Sequence, residues 1–212
     1  MSLGLLGNKI GMTQLFDHTG CLVPVTIIKI GPCYITQIKT VTNNGYNAIQ
    51  LGYNHSLNKK RITKPEYGHL VKNNLENYST LKEFKIENPN SFFINQKLTT
   101  TLLNEGELIS ISAISIGKGT TGNIKRHHFK RGPMSHGSKH HRLQGSLGAG
   151  TSPGRVFPGK KMSGHSGNIK CTLKNLEIIR INHEKELIAI KGAIPGKFGN
   201  LIIIKKKSNE NS

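Results

Sequence analysis

Leu108–Ile116 reads LISISAISI, and Gly117–Asn168 follows at once: GKGTTGNIKRHHFKRGPMSHGSKHHRLQGSLGAGTSPGRVFPGKKMSGHSGN. The first stretch alternates apolar with small polar residues, the period of a strand with one face buried. The second has no apolar period, is dense in glycine and contains no acid; none occurs between Glu107 and Glu177. A strand of a packed domain therefore gives way to a segment that cannot bury a core of its own.

The same strand texture recurs on both sides. Leu22–Ile30 (LVPVTIIKI) and Tyr34–Thr40 (YITQIKT) are rich in β-branched residues and are separated by Gly31-Pro32. Tyr46–Tyr53 follows the turn signal Asn43-Asn44-Gly45. Lys97–Leu103 precedes the opening strand, and Cys171–Ile181, Leu187–Ile190 and Leu201–Ile204 follow the basic segment. Thr63-Lys-Pro-Glu66 has the form of a capping box with proline in the first turn, predicting a short helix over Pro65–Lys72. Asn-rich, weakly patterned sequence runs from there to Asn95, and Ser208–Ser212 is a polar tail. No internal repeat is visible. Many short strands with glycine punctuation predict a mainly β fold, an antiparallel barrel. The basic segment leaves one strand end and returns to the next.

Charge indicates the partner. The 212 residues carry 30 Lys and Arg against 11 Asp and Glu, a formal net charge of +19. Lys118, Lys125, Arg126, Lys130, Arg131, Lys139, Arg142, Arg155, Lys160 and Lys161 fall in the acid-free segment. So do His127, His128, His136, His140, His141 and His165. Without interleaved anions such a segment repels itself and calls for a polyanion, of which nucleic acid is the commonest in a cell. These cations and histidines are the candidate RNA-binding residues. Crossing a membrane takes roughly 20 apolar residues, far more than Leu22–Ile30 or Leu108–Ile116 supplies, and no basic amphipathic helix with an aromatic face is visible. The N-terminus resembles neither a signal nor a transit peptide, which predicts work in the compartment of synthesis. The wealth of Ile, Asn and Lys is what AT-rich genomes produce; a plastid stroma is expected, with a bacterial cytoplasm as the alternative. Cys21, Cys33 and Cys171 are odd in number and form no CxxC, so neither a disulfide framework nor a zinc ribbon is expected.

Sites for chemistry are poorly supported. Gly117-Lys-Gly119-Thr-Thr-Gly122 matches the dinucleotide fingerprint, but no helical pattern follows it and no acid stands about 20 residues on. Turns where backbone approaches phosphate suit the surrounding cations better. His136 and His140 have i,i+4 spacing, but Gly137 and Ser138 lie between them and no carboxylate or cysteine is near to complete a metal site. Ser135-His136 and Ser163-Gly164-His165 place hydroxyls beside imidazoles without a local acid to orient them. No catalytic residue, metal or cofactor is therefore assigned. Lys59-Lys60-Arg61 and Lys205-Lys206-Lys207 read equally as solvated surface or as RNA contacts. Phe129 and Phe157 are open to base stacking and to local packing alike.

Several long motifs, in collinear order over essentially the whole chain, resemble the family of large-subunit ribosomal protein three. They are Gly4–Phe16 (GLLGNKIGMTQLF), Pro24–Thr26, Lys60–Leu70 (KRITKPEYGHL), Lys118–Arg126 (KGTTGNIKR), Arg131–Arg142 (RGPMSHGSKHHR), Gly145–Met162 (GSLGAGTSPGRVFPGKKM) and Lys191–Gly196 (KGAIPG). Gly31–Thr40 with Arg131–Lys139 is most similar to the cyanobacterial and plastid branch. The resemblance implies a six-stranded translation-protein-type β-barrel with a small α+β insert and a long basic loop extension. On that plan residues 1–53 begin the barrel, 54–97 form the insert, 98–117 continue the barrel, 118–167 are the extension, 168–207 end the barrel and 208–212 are the tail. It further implies binding to large-subunit (23S-type) rRNA near its 3′ end and a part in early subunit assembly. The large-subunit proteins fourteen and nineteen would be neighbours. The extension would thread towards the peptidyl transferase centre. Its tip would be Gly145–Gly154, built of Gly145, Ser146, Gly148, Ala149, Gly150, Thr151, Ser152, Pro153 and Gly154. Some bacterial relatives carry a methylated glutamine near the tip; Ala149-Gly-Thr151 stands here instead, so that modification is not expected. The alternatives are a nuclease or a basic nucleic-acid-binding protein outside the ribosome, either of which would leave a substantial free pool.

Overall fold

The computed structural model describes residues 3–56 and 62–206. Its centre is a closed, fully antiparallel barrel of six strands in the order β1-β12-β7-β10-β11-β2. These are β1 (Gly4–Phe16), β2 (Leu22–Ile30), β7 (Leu108–Ile114), β10 (Lys170–Asn182), β11 (Leu187–Lys191) and β12 (Leu201–Lys206). The alternation in LISISAI works as expected: Ile109, Ile111 and Ala113 point inward and are buried, and Ser110 and Ser112 are not. Ile111 pairs across to Ile204 and Ala113 to Ile202, so β7 and β12 keep one inward register; their partners on β10, Leu173 and Cys171, are not buried. Ile28, Ile178, Ile188 and Ile190 complete a β-branched interior. Each fully buried isoleucine contributes about 1.5–3 kcal/mol of transfer free energy.

A second sheet, in the order β5-β4-β3-β6, is built from β3 (Cys33–Lys39), β4 (Ala48–His55), β5 (Tyr78–Lys85) and β6 (Lys97–Leu98). Ile35, Ile49, Leu51 and Phe84 join the barrel residues in one apolar cluster. The expected boundary at residues 53/54 is therefore corrected. The insert's sheet begins at Cys33, and β3 and β4 belong to it rather than to the barrel wall. The short helix forms as α2 (Lys64–Val71), with the Glu66 carboxylate accepting from the Thr63 N–H at 3.2 Å and burying Leu70.

The turn signal Asn43-Asn44-Gly45 closes a single helical turn, α1 (Val41–Asn44), with Gly45 left-handed at φ 79°, between the antiparallel partners β3 and β4. The strand expected over Lys97–Leu103 stops at Leu98, where Thr100–Leu102 turn into a 3₁₀ helix. β5 lies in the Asn-rich stretch, where only Tyr78 and Phe84 are buried; as an edge strand it needs no more. β1 also escapes pattern reading, because its glycines lower strand propensity. Gly4 is required by packing: a Cβ there would collide with the Phe84 ring. Lys59–Arg61, Lys207 and the tail 208–212 lie outside the described residues.

On the second sheet the Glu83 carboxylate accepts from Lys39 and, at 2.9 Å, from Tyr46 Oη. The Lys39 hydrogen bond, then the one from Tyr46, holds the Glu83 carboxyl below its usual range against the opposing effect of burial. The same partners raise Lys39. A depressed carboxyl stabilises above its unfolded pKa, and that contribution is lost as pH falls through the folded value. The raised Lys39 stabilises at neutral pH and loses its contribution as pH rises through its folded value. Glu83→Gln is expected to cost under about 1 kcal/mol at pH 7, the side chain being 36% exposed and screened. The difference from wild type should vanish in acid. Urea titrations at neutral and acid pH measure this; a deficit undiminished in acid would exclude the ion pair as its source.

Candidate nucleic-acid interface

Between β7 and β10 the chain makes a compact unit of its own, Ser115–Ile169. Its root is a backbone ladder. Ser115 N–H donates to Ile169 O (2.9 Å), Asn168 N–H to Ser115 O (3.2 Å), Lys118 N–H to Ser166 O (2.9 Å) and Ser166 N–H to Gly119 O (2.9 Å). β8 (Thr120–Thr121) and β9 (Gly164–His165) continue it as an antiparallel pair. Gly167 is obligatory here: its φ is +73°, and a Cβ would strike the Ile116 carbonyl.

Beyond the ladder stands α3 (Asn123–His127), a turn of helix where no helical pattern was expected. Its side chains fasten the outgoing limb to the returning one. Asn123, 3% exposed, donates from Nδ2 to Lys161 O (3.2 Å). Arg126 Nη1 donates to Met162 O at 2.8 Å, and His127 Nε2 donates to the same oxygen at 3.0 Å. His128, left-handed at φ 60°, closes the helix. Further out, Gly132 N–H donates to His141 O (3.2 Å) and His141 Nδ1 to Pro133 O (2.9 Å). Arg126, His127 and His141, expected as RNA contacts, thus each hold a carbonyl of their own loop. Arg126 keeps further donors free, since guanidinium has five. Sequence reading missed Asn123 and the Met162 carbonyl, and nothing in the local pattern marks either.

The remaining candidates face solvent. Lys118, Lys125, Arg126, His128, Lys130, Arg131, His136, Lys139, His140, Arg142, Arg155, Lys160, Lys161 and His165 are exposed, and only His127 and His141 are half-buried. No carboxylate lies in the unit, so none of these charges has an ion-pair partner within it. None of its apolar residues is buried; Met134, Leu143, Phe157 and Ile169 are all more than half exposed, at 58% to 63%. Arg155 lies over the Phe157 ring at 5.4 Å, leaving Phe157 available on its other face. Gly145–Gly154 are exposed throughout. The loop there is shaped by its own short bonds: Ser146 Oγ donates to Gly148 O (3.0 Å) and Gly154 N–H donates to Gly150 O (3.0 Å). Among the described residues no three His, Cys, Asp or Glu side chains are grouped to hold a metal.

A unit held by backbone and polar bonds, with its charges turned outward and no core, has the chemistry of a phosphate-binding surface. Known proteins resemble the chain along nearly its whole length. Residues 53–195 match the family model described as Ribosomal protein L3. The chain is 52% identical over 206 residues to a protein of Porphyra purpurea named large ribosomal subunit protein uL3c, covering 97% of this chain and 100% of that one. It is 54% identical over 204 residues to the uL3c of Phaeodactylum tricornutum (96% and 98% covered). To the large ribosomal subunit protein uL3 of Picosynechococcus sp. it is 49% identical over 205 residues (96% of each). With a barrel and a basic extension of this kind, and likeness along nearly its whole length, the chain belongs to the ribosomal protein L3 family.

Proposed function

We propose that the chain is a structural, non-enzymatic constituent of the large ribosomal subunit that binds 23S-type rRNA near its 3′ end and acts early in assembly. The barrel is the mount, and Ser115–Ile169 lie against rRNA with their outward cations on phosphates. The observation that carries this is the extension itself: exposed Lys, Arg and His around a chain segment with neither acid nor buried apolar residue. Arg126, His127 and His141 shape the loop first and meet RNA through whatever donors remain. Gly145–Gly154 is the tip that approaches the peptidyl transferase centre, and the proteins numbered fourteen and nineteen are the expected neighbours. The similarity to uL3c of algae and to cyanobacterial uL3 supports a plastid ribosome, with a bacterial cytoplasm as the alternative setting.

Co-sedimentation tests the reading. In moderate salt nearly all of the protein is expected with large subunits. A substantial free pool, or comigration with bulk nucleic acid of other kinds, would count against it.

A further inference from the structure

The barrel is not evenly closed along its height. β1 pairs with β12 only over Gly4–Asn8, while its pairing with β2 continues to Phe16. Lys9 still bonds to the loop before β12, donating to Asn200 O and accepting from Gly199 N–H. From Ile10 to Phe16 no strand among the described residues takes the other edge of β1. Facing residues of an antiparallel pair share a face, so Met12, Gln14 and Phe16 stand with Leu22 and Pro24 on one side of this ribbon. Phe16 is 73% exposed, Met12 54% and Leu22 51%. A long apolar strand with an open edge is a template for strand addition.

The surroundings select the occupant. No Lys or Arg lies between Lys9 and Lys29 in a chain that has 30 of them, so the ribbon offers no Lys or Arg charge to phosphate. Beside it is a cavity of ≈ 340 Å³ with Leu15, Phe16 and Asp17 on the β1 side and Glu105, Glu177 and Ile179 opposite. Arg180 and Lys191 also reach its rim, and Lys191 is held by Glu177 at 3.3 Å. Among the described residues Asp17 and Glu105 meet no cation within ion-pair distance; their oxygens accept the backbone N–H groups of His18 and Ile181, each at 2.7 Å. Carboxylates here, in a chain of net charge +19, repel RNA and attract a cationic polypeptide. We infer that the free edge of β1 at Ile10–Phe16 receives an extended, Lys- or Arg-bearing segment of another large-subunit protein, with its apolar side chains on Phe16 and Leu22 and a cation among Asp17, Glu105 and Glu177.

This rests on the ribosomal reading, and the two fail separately. The full chain with p-benzoylphenylalanine in place of the exposed Phe16 is assembled into large subunits, and co-sedimentation is read first. Loss of sedimentation in this variant and in wild type alike sinks the ribosomal reading and this one with it. In purified subunits, irradiation is expected to join residue 16 to a Lys- or Arg-containing segment of a second protein, identified by mass spectrometry. Glu105→Gln with Glu177→Gln keeps both hydrogen-bond acceptors and removes the charges; it should lower the crosslink yield about tenfold, the measure of roughly one charge contact's free energy, with sedimentation unchanged. A crosslink to rRNA, to a second copy of this chain or to a neutral or acidic segment, no crosslink in incorporated protein, or a yield indifferent to the Gln pair would each overturn the inference.

Discussion

Exchanging Lys130, Arg131, Lys139 and Arg142 together for serine should lower affinity for large-subunit rRNA by roughly a thousandfold near 0.1 M salt. These four cations are exposed, lie outside every hydrogen bond described for the extension's frame and have no acid within reach of their own unit. Each phosphate contact on irregular or single-stranded RNA contributes about 0.7 to the slope of log affinity against log salt, so removing four should make that slope shallower by about 3. Arg126 is left in place deliberately, because its bond to Met162 O means that its loss would disturb the loop as well as the charge. The matching control is Lys82 with Lys85 on β5, exposed lysines of the second sheet, whose exchange should alter the slope little. Filter binding across a salt series reads both. An unchanged slope in the fourfold variant would mean that the extension's charge does not meet phosphate.

The choice of those residues shows what the sequence could and could not disclose. The acid-free run made the interface legible as a region, since charge is a property of composition and survives without knowledge of contacts. Which cations are free and which are engaged was not legible: Arg126 and His127 reach a carbonyl 36 and 35 residues away, and no local pattern encodes such a meeting. The barrel divides the same way. β2 was readable to the residue because Val25, Ile28 and Ile30 face the core between turn signals. β1 was not, since Gly4 and Gly7 sit where neighbours leave no room for a side chain, and glycine reads locally as a turn. The allegiance of β3 and β4 was equally hidden. Both have ordinary strand patterns, and membership of the second sheet is set by their pairing partners, Gln50 opposite Gln37 and Leu81 opposite Gly52 among them. Local pattern specifies that a strand exists and which face is buried, while register and sheet are properties of the assembled core.

The tip tests function where the cations test affinity. Gly148→Arg and, separately, Ala149→Trp should leave the protein folded and incorporated while slowing peptide-bond formation. Gly148 is suited to the experiment: its φ is not in the left-handed region, and a Cβ there meets nothing closer than the Arg155 carbonyl at 3.9 Å. The loop alone therefore accepts a side chain. Gly150, with φ at +92°, would add backbone strain and confuse the result. The run Gly145–Gly154 has no Lys or Arg, whereas Lys139, Arg142, Arg155, Lys160 and Lys161 flank it. Flanking cations supply attraction, and small uncharged residues allow close approach to RNA backbone. If that approach lies beside the peptidyl transferase centre, as proposed, a bulky side chain must displace RNA there. Displacement of about 1 Å in a reacting geometry costs up to roughly a hundredfold in rate, so puromycin reactivity should fall by about ten- to a hundredfold and sensitivity to drugs of that centre should change with it. Subunit incorporation is measured alongside, because the barrel and the flanking cations are untouched. Variants that fail to incorporate would make the tip an assembly element. Variants that incorporate with unaltered reactivity and drug response would place it away from the reacting centre.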